Sequence, residues 1–144
     1  MKKKFAPSLW QYVMDSSALI NIERQDGIIE LKKRIDTILI PEKVAEEVAF
    51  DHRIKRNDPL KKFVERYKEN IVVAFIGNEE QDYLKIASIP GIDPGEAAAM
   101  AIALNRNLPL VIDERNTKAT GKARELGIET LSYRKFLIGK YLRS

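Results

Sequence analysis

The sequence predicts a three-layer α/β domain on a mostly parallel, five-stranded sheet, and three observations predict it. Short apolar runs alternate with stretches of helical periodicity along the whole chain. Ala97 to Leu104 leaves almost no polar face, so this helix must be covered on both sides. Leu108 to Ile112 is a short apolar run with its proline at the start and Asp113 directly after it, the pattern of a central parallel strand with an acid at its carboxyl end.

Taken in order, Gln11 to Met14 is apolar enough for the first strand, and Asp15-Ser16-Ser17 leads into a helix start at Ala18, Leu19, Ile20 and Ile22. Gly27 breaks the chain. Ile28, Ile29, Leu31 and Ile35 at helical spacing then predict a second helix that ends in Lys32-Lys33-Arg34. Asp36 to Ile40 is the second strand, closed by Pro41, which suits the first turn of the next helix. There Val44, Glu47, Val48 and Phe50 share a stripe, so Glu47 is expected to point inward, where a carboxylate is costly unless paired or bound to metal. Asp51 to Leu60 is a charged connection carrying His52, Arg53, Lys55 and Arg56. Leu60, Phe63, Val64 and Tyr67 continue as an amphipathic helix with Lys61, Lys62 and Arg66 outward.

Ile71 to Phe75 is the third strand, and Asn78 with Gln81 three residues on predicts a capped helix through Ala87. Asp93-Pro94-Gly95-Glu96 opens the central helix, which runs from Glu96 to Asn105. An Asp cap, a proline at the first helical position and a Glu that reaches back are what a plain helix start would use, so Glu96 needs no chemical role to be explained. Asp113, ending the fourth strand, has no capping duty until Asn116 or Thr117 starts the next helix. Ala119, Ala123 and Leu126 form that helix's apolar stripe and Gly127 terminates it. Ile128 to Leu131 is the fifth strand, and Ser132 caps a last helix bearing Phe136, Leu137, Tyr141 and Leu142.

At 144 residues the chain is expected to be one domain, residues 1–144, with residues 1–10 as a basic N-terminal tail. With 44% apolar and 32% charged residues it suits a soluble globular protein, and no apolar run reaches membrane-span length. Lys2, Lys3 and Lys4 resemble a signal peptide's basic start, but Pro7, Trp10, Gln11 and Asp15 break any apolar stretch, so a cytoplasmic location is expected. With no cysteine and a single histidine, His52, there are no disulfides, and thiolate sites and a Ser-His-Asp triad have almost nothing to be built from. Carboxylates remain, and oxygen ligands select hard cations such as Mg²⁺ or Mn²⁺. The net charge of +4 is a modest hint of a polyanionic partner.

Asp15, Glu47, Glu96 and Asp113 then occupy comparable places: after strand one, on the helix after strand two, at the head of the central helix and after strand four. In a parallel sheet these places converge at one edge. Four carboxylates so close are expected to repel and raise one another's pKa, which makes a divalent cation their natural partner. Such a site can activate water against a phosphodiester.

Val13-Met14-Asp15-Ser16-Ser17-Ala18-Leu19, Pro41 to Val48, Asp93-Pro94-Gly95-Glu96-Ala97 and Val111-Ile112-Asp113-Glu114-Arg115 together resemble the motifs of the PIN domain, in order and across essentially the whole chain. The resemblance implies a five-stranded parallel sheet and a Mg²⁺- or Mn²⁺-dependent ribonuclease site. It matches Asp15, Glu47, Glu96 and Asp113 to the family's acids, Asp93 to a frequent extra acid, and Ser16 or Ser17 to the small hydroxyl residue that orients the first acid. Two places depart from the pattern. Val111 stands where many members carry Thr or Ser, and Asn116 or Glu114 where some carry a further acid. A compact PIN protein is similar to the toxins of VapBC-type pairs, which implies an RNA substrate, a homodimer and a small antitoxin. Arg115, Lys118 and Lys122, close behind Asp113, are expected phosphate contacts.

Three rivals stand beside this reading. One is an inert PIN-like module that binds nucleic acid or a partner without cutting. A phosphorylatable signalling domain would need adjacent acids after the first strand, where a lone Asp15 precedes two serines. A phosphatase with a DxD nucleophile fails because Ser17 takes the second Asp position.

Overall fold

The computed structural model describes residues 11–50 and 58–138. The expected basic tail, the connection that carries His52, and Tyr141 and Leu142 lie outside the described residues. Five parallel strands form one sheet: β1 (Tyr12–Met14), β2 (Ile38–Pro41), β3 (Val72–Val73), β4 (Leu110–Ile112) and β5 (Thr130–Ser132), in the order β3-β2-β1-β4-β5. The chain builds outward from β1 in one direction and then returns to build outward in the other. The order therefore reverses between β1 and β4, and their carboxyl ends flank the switch point where open α/β sheets bind ligands. Met14 pairs with Val111, and the Asp15 N–H donates to Val111 O at 3.0 Å, so Asp15 is fastened to the end of β4.

Alternation along the strands sorts the side chains into two cores. Tyr12, Met14, Ile38, Ile40 and Val111 face α1 (Ser16–Arg24), α2 (Ile28–Lys33), α3 (Glu42–Phe50), α4 (Pro59–Ile71) and α8 (Tyr133–Ile138). Val13, Leu110 and Ile112 face α5 (Glu79–Ala87), α6 (Pro94–Arg106) and α7 (Thr117–Glu125). This is the three-layer arrangement the sequence predicts. α6 is buried from Gly95 to Ala103, as its unbroken apolar run requires, and Asn107 ends it in the left-handed region at φ 55°.

Several local expectations change. The second strand starts at Ile38 rather than Asp36, because Ile35–Thr37 forms a 3₁₀ turn, and Pro41 completes the strand rather than opening α3. β3 holds only Val72 and Val73, since Ile71 closes α4, and β4 and β5 begin two residues later than expected. Phe50 is 77% exposed and does not continue the buried stripe of Val44 and Val48. Asn78 makes no capping hydrogen bond at α5. Glu79 instead ties the turn before the helix: its Oε1 accepts from Ile76 N at 2.8 Å, and its buried carboxylate is held by Arg106 through Nε at 2.8 Å and Nη2 at 3.0 Å. Among the described residues no helix is long and apolar enough to cross a membrane.

Candidate active site

The turn after β1 puts Asp15 at the N-cap of α1, buried at 1% exposure. Its Oδ2 accepts the Ser17 hydroxyl at 2.5 Å and the Ser17 N–H at 3.2 Å. Its Oδ1 is buried with no hydrogen-bond partner among the described residues. A half-satisfied buried carboxylate resists ionisation, and its pKa is pushed up from 3.8 to about 7. Burial is the largest cause. The Ser17 bond opposes it, and the charges of Glu96 and Asp93 add to it. Mutual repulsion is thus present as expected, but desolvation outweighs it.

Ser17 also links the two strand ends, since its hydroxyl oxygen accepts from Asp113 N at 3.4 Å. Ser16 makes no side-chain hydrogen bond among the described residues, so the hydroxyl that orients Asp15 is that of Ser17. Asn21, one turn along α1, donates to Ser17 O at 2.9 Å and to Asp113 Oδ2 at 3.0 Å. The sequence reading passed over Asn21. Its one signal was a polar residue four positions after Ser17 inside an apolar helix start, which places both on one face.

At the head of α6 the capping box forms in full. Asp93 Oδ1 accepts from Glu96 N at 2.8 Å, and Glu96 Oε1 accepts from Asp93 N at 3.0 Å. Asn116, the N-cap of α7, donates to Glu96 Oε2 at 2.6 Å, so this side chain joins the starts of two helices. Glu96 is 5% exposed, and its pKa is raised by burial first and by Asp93 and Glu47 after it. Glu47 is half-buried and turns toward α6, where its Oε2 accepts from Gly95 N at 3.1 Å. The missing side chain of Gly95 makes this possible, because a Cβ there would strike the Glu47 carboxylate.

Asp113 departs from the expected mutual repulsion. Arg115 folds back onto it, with Nη2 to Oδ2 at 2.8 Å and Nε to Oδ1 at 3.0 Å, and this pairing lowers its pKa below the usual carboxylate range. Asp113 also accepts from Arg115 N at 3.1 Å, a local duty the sequence did not foresee. Of the other expected phosphate contacts, Lys122 pairs with Glu125 at 3.2 Å, whereas Lys118 is exposed and lies against Gly91. Glu114 pairs with Arg124 at 3.1 Å and takes no part in the site.

Asp15, Asp93, Glu96 and Glu47 thus form an electrostatically coupled row, and Asp113 joins it through Ser17. Among the described residues no three carboxylates close around one point from which all could hold an ion. The donor set is nevertheless all oxygen and suits a hard cation, and the unpartnered Asp15 Oδ1 is an atom such a cation would complete.

Acids gathered beside the switch point of a parallel sheet define an α/β protein with an acidic edge at its strand ends. The chain belongs to the PIN-domain family, whose model matches residues 11–131, and so carries a nuclease-type fold. Among solved structures it is similar to PAE2754 from Pyrobaculum aerophilum, with a TM-score of 0.61 at 17% identity, over 90% of this chain and 88% of that one. No curated protein matches.

Proposed function

We propose that the chain is a Mg²⁺- or Mn²⁺-dependent endoribonuclease that hydrolyses RNA phosphodiester bonds. The observation that carries this reading is the buried Asp15, with one oxygen unpartnered and Asp113 bridged to it by Ser17 at the switch point. Family membership supports it, since PIN domains are generally nucleases and typically use divalent metals. Asp15 and Asp113 would hold the cation from the two strand ends, and Glu47, Glu96 and Asp93 would complete the acidic edge from the head of α6. When bound, the cation supplies an acidified water and positive charge against the phosphoryl transition state.

The chain's own residues do the rest. Ser17 holds Asp15 with one oxygen turned away from the backbone, and Asn21 aims Asp113. Asn116 fixes Glu96, and the Gly95 N–H at the positive end of α6 anchors the Glu47 carboxylate. Lys118, exposed against Gly91, would meet a phosphate of the RNA.

We further propose a cytoplasmic homodimer that acts as the toxin of a type II toxin–antitoxin pair, with a small antitoxin covering the acids. The inert PIN-like module is the second reading, favoured by the fact that no three carboxylates close around one point among the described residues. Cleavage of a mixed single-stranded and structured RNA pool in Mn²⁺, Mg²⁺ or chelator, beside Asp15→Asn, decides between them. Metal-dependent cuts that vanish in the variant are expected. No cutting together with no heat of cation uptake would establish the inert module.

A further inference from the structure

Both carboxylate oxygens of Asp113 are engaged. Its Oδ1 accepts from Arg115 N at 3.1 Å and Arg115 Nε at 3.0 Å, and its Oδ2 from Arg115 Nη2 at 2.8 Å and Asn21 Nδ2 at 3.0 Å. Arg115 Nη2 also reaches Asn21 Oδ1 at 3.4 Å. Both oxygens are occupied, all of these contacts but the Asn21 one come from Arg115, and the guanidinium fork covers the carboxylate as a bound cation would. Asp15 presents the opposite case, buried with Oδ1 unpartnered.

The clamp is local and solvent-facing. The Arg115 side chain is 75% exposed against 14% for Asp113, and only one residue separates them in sequence. The fork faces solvent and, among the described residues, hydrogen-bonds only to Asp113 and Asn21, so it can swing into water without disturbing the fold. Asn21 would stay behind, bonded to Ser17 O and Asp113, to keep the carboxylate aimed.

On the metal-dependent reading above, we propose that Arg115 sets the cation affinity of the site: its guanidinium is a resident counter-ion on Asp113 that a divalent cation must displace. Arg115 thus already supplies a positive charge at the Asp113 carboxylate. Asp113 is held in position before the cation arrives.

The test is calorimetric titration of Mn²⁺ into the native chain, Arg115→Ala and Asp15→Asn, with Asp113→Asn alone and combined with Arg115→Ala. Removing the competitor and its charge should tighten Mn²⁺ binding about three- to tenfold. The gain should disappear in the Asp113→Asn background, where there is no carboxylate to compete for. Uptake by Arg115→Ala with none by the native chain would support the inference most directly. Uptake by the native chain that depends on Asp15 but is equal or weaker in Arg115→Ala would overturn the inference and leave the nuclease reading standing. Uptake by neither chain would overturn the metal-dependent reading and this inference with it.

Discussion

Replacing Asp15 by Asn should stabilise the metal-free protein at alkaline pH while destroying its activity. The native carboxyl ionises at about 7 in the folded chain against an ordinary 3.8. Because the folded value lies above the unfolded one, the unfolded chain gives up this proton first as pH rises. Stability is full below about 3.8, falls through the interval, and is lowest above 7. The whole interval corresponds to about 4 kcal/mol. Asn carries no charge and escapes this cost, but its buried amide nitrogen lacks a partner where Oδ1 now has none, which returns about 1–3 kcal/mol.

A net gain of about 1–3 kcal/mol is therefore expected at pH 8, shrinking to within about 1 kcal/mol of zero at pH 5, where the carboxyl is still protonated in the folded chain and has cost only about 1.6 kcal/mol. Glu96, raised by burial first, contributes a slope of the same sign in both proteins. Asp113 has its pKa lowered, so its contribution is lost only as pH falls below the ordinary carboxylate range, outside the window. Urea unfolding in chelator at pH 5 and pH 8 reads the difference, and the thermal midpoint at pH 8 should rise by roughly 3 °C per kcal/mol. A variant less stable than the native chain at both values, or a native stability that climbs between them, would refute the assignment of a raised pKa to a buried, half-satisfied carboxylate.

Other perturbations separate the parts of the site. Gly95→Ala should leave stability within about 0.5–1 kcal/mol, since Ala favours the helix, yet cut RNA cleavage about 10- to 100-fold by pushing the Glu47 carboxylate off the head of α6; paired unfolding and cleavage assays check it. Arg106→Ala strands the buried Glu79 carboxylate, 2% exposed in its side chain, and should cost about 3–5 kcal/mol in urea unfolding with no specific loss of cation binding. Lys118→Ala should lower the salt slope of RNA binding by about 1, and Lys122→Ala by less, because Lys122 is already paired with Glu125. Equal slopes in the two variants would remove Lys118 from the phosphate contacts. Asp113→Asn, unlike Asp15→Asn, should not stabilise the chain, because its charged form is favoured by Arg115.

The strand-ending acids, the all-apolar central helix and the capping box at Asp93 and Glu96 were legible because each is a local pattern: periodicity, a proline at a first turn, an acid directly after an apolar run. Those patterns determined the layer architecture and the residues gathered at the carboxyl edge. Strand ends were read less well. A 3₁₀ turn at Ile35–Thr37 and the last turn of α4 at Ile71 compete for the same apolar residues, and hydrogen bonding to neighbouring strands decides the outcome.

Charge state was decided only in three dimensions. The sequence treats Asp15 and Asp113 alike, as acids that end buried strands. Packing buries one and leaves an oxygen bare, while a backbone turn of two residues brings Arg115 onto the other. Asn21 entered the site because α1 lies over the end of β4, 92 residues away along the chain. Which carboxylates are buried, which are paired, and by what donors depends on solvent exclusion and on contacts between distant segments. Neither has a local sequence signature, so the residue types belonged to the sequence and their electrostatics to the fold.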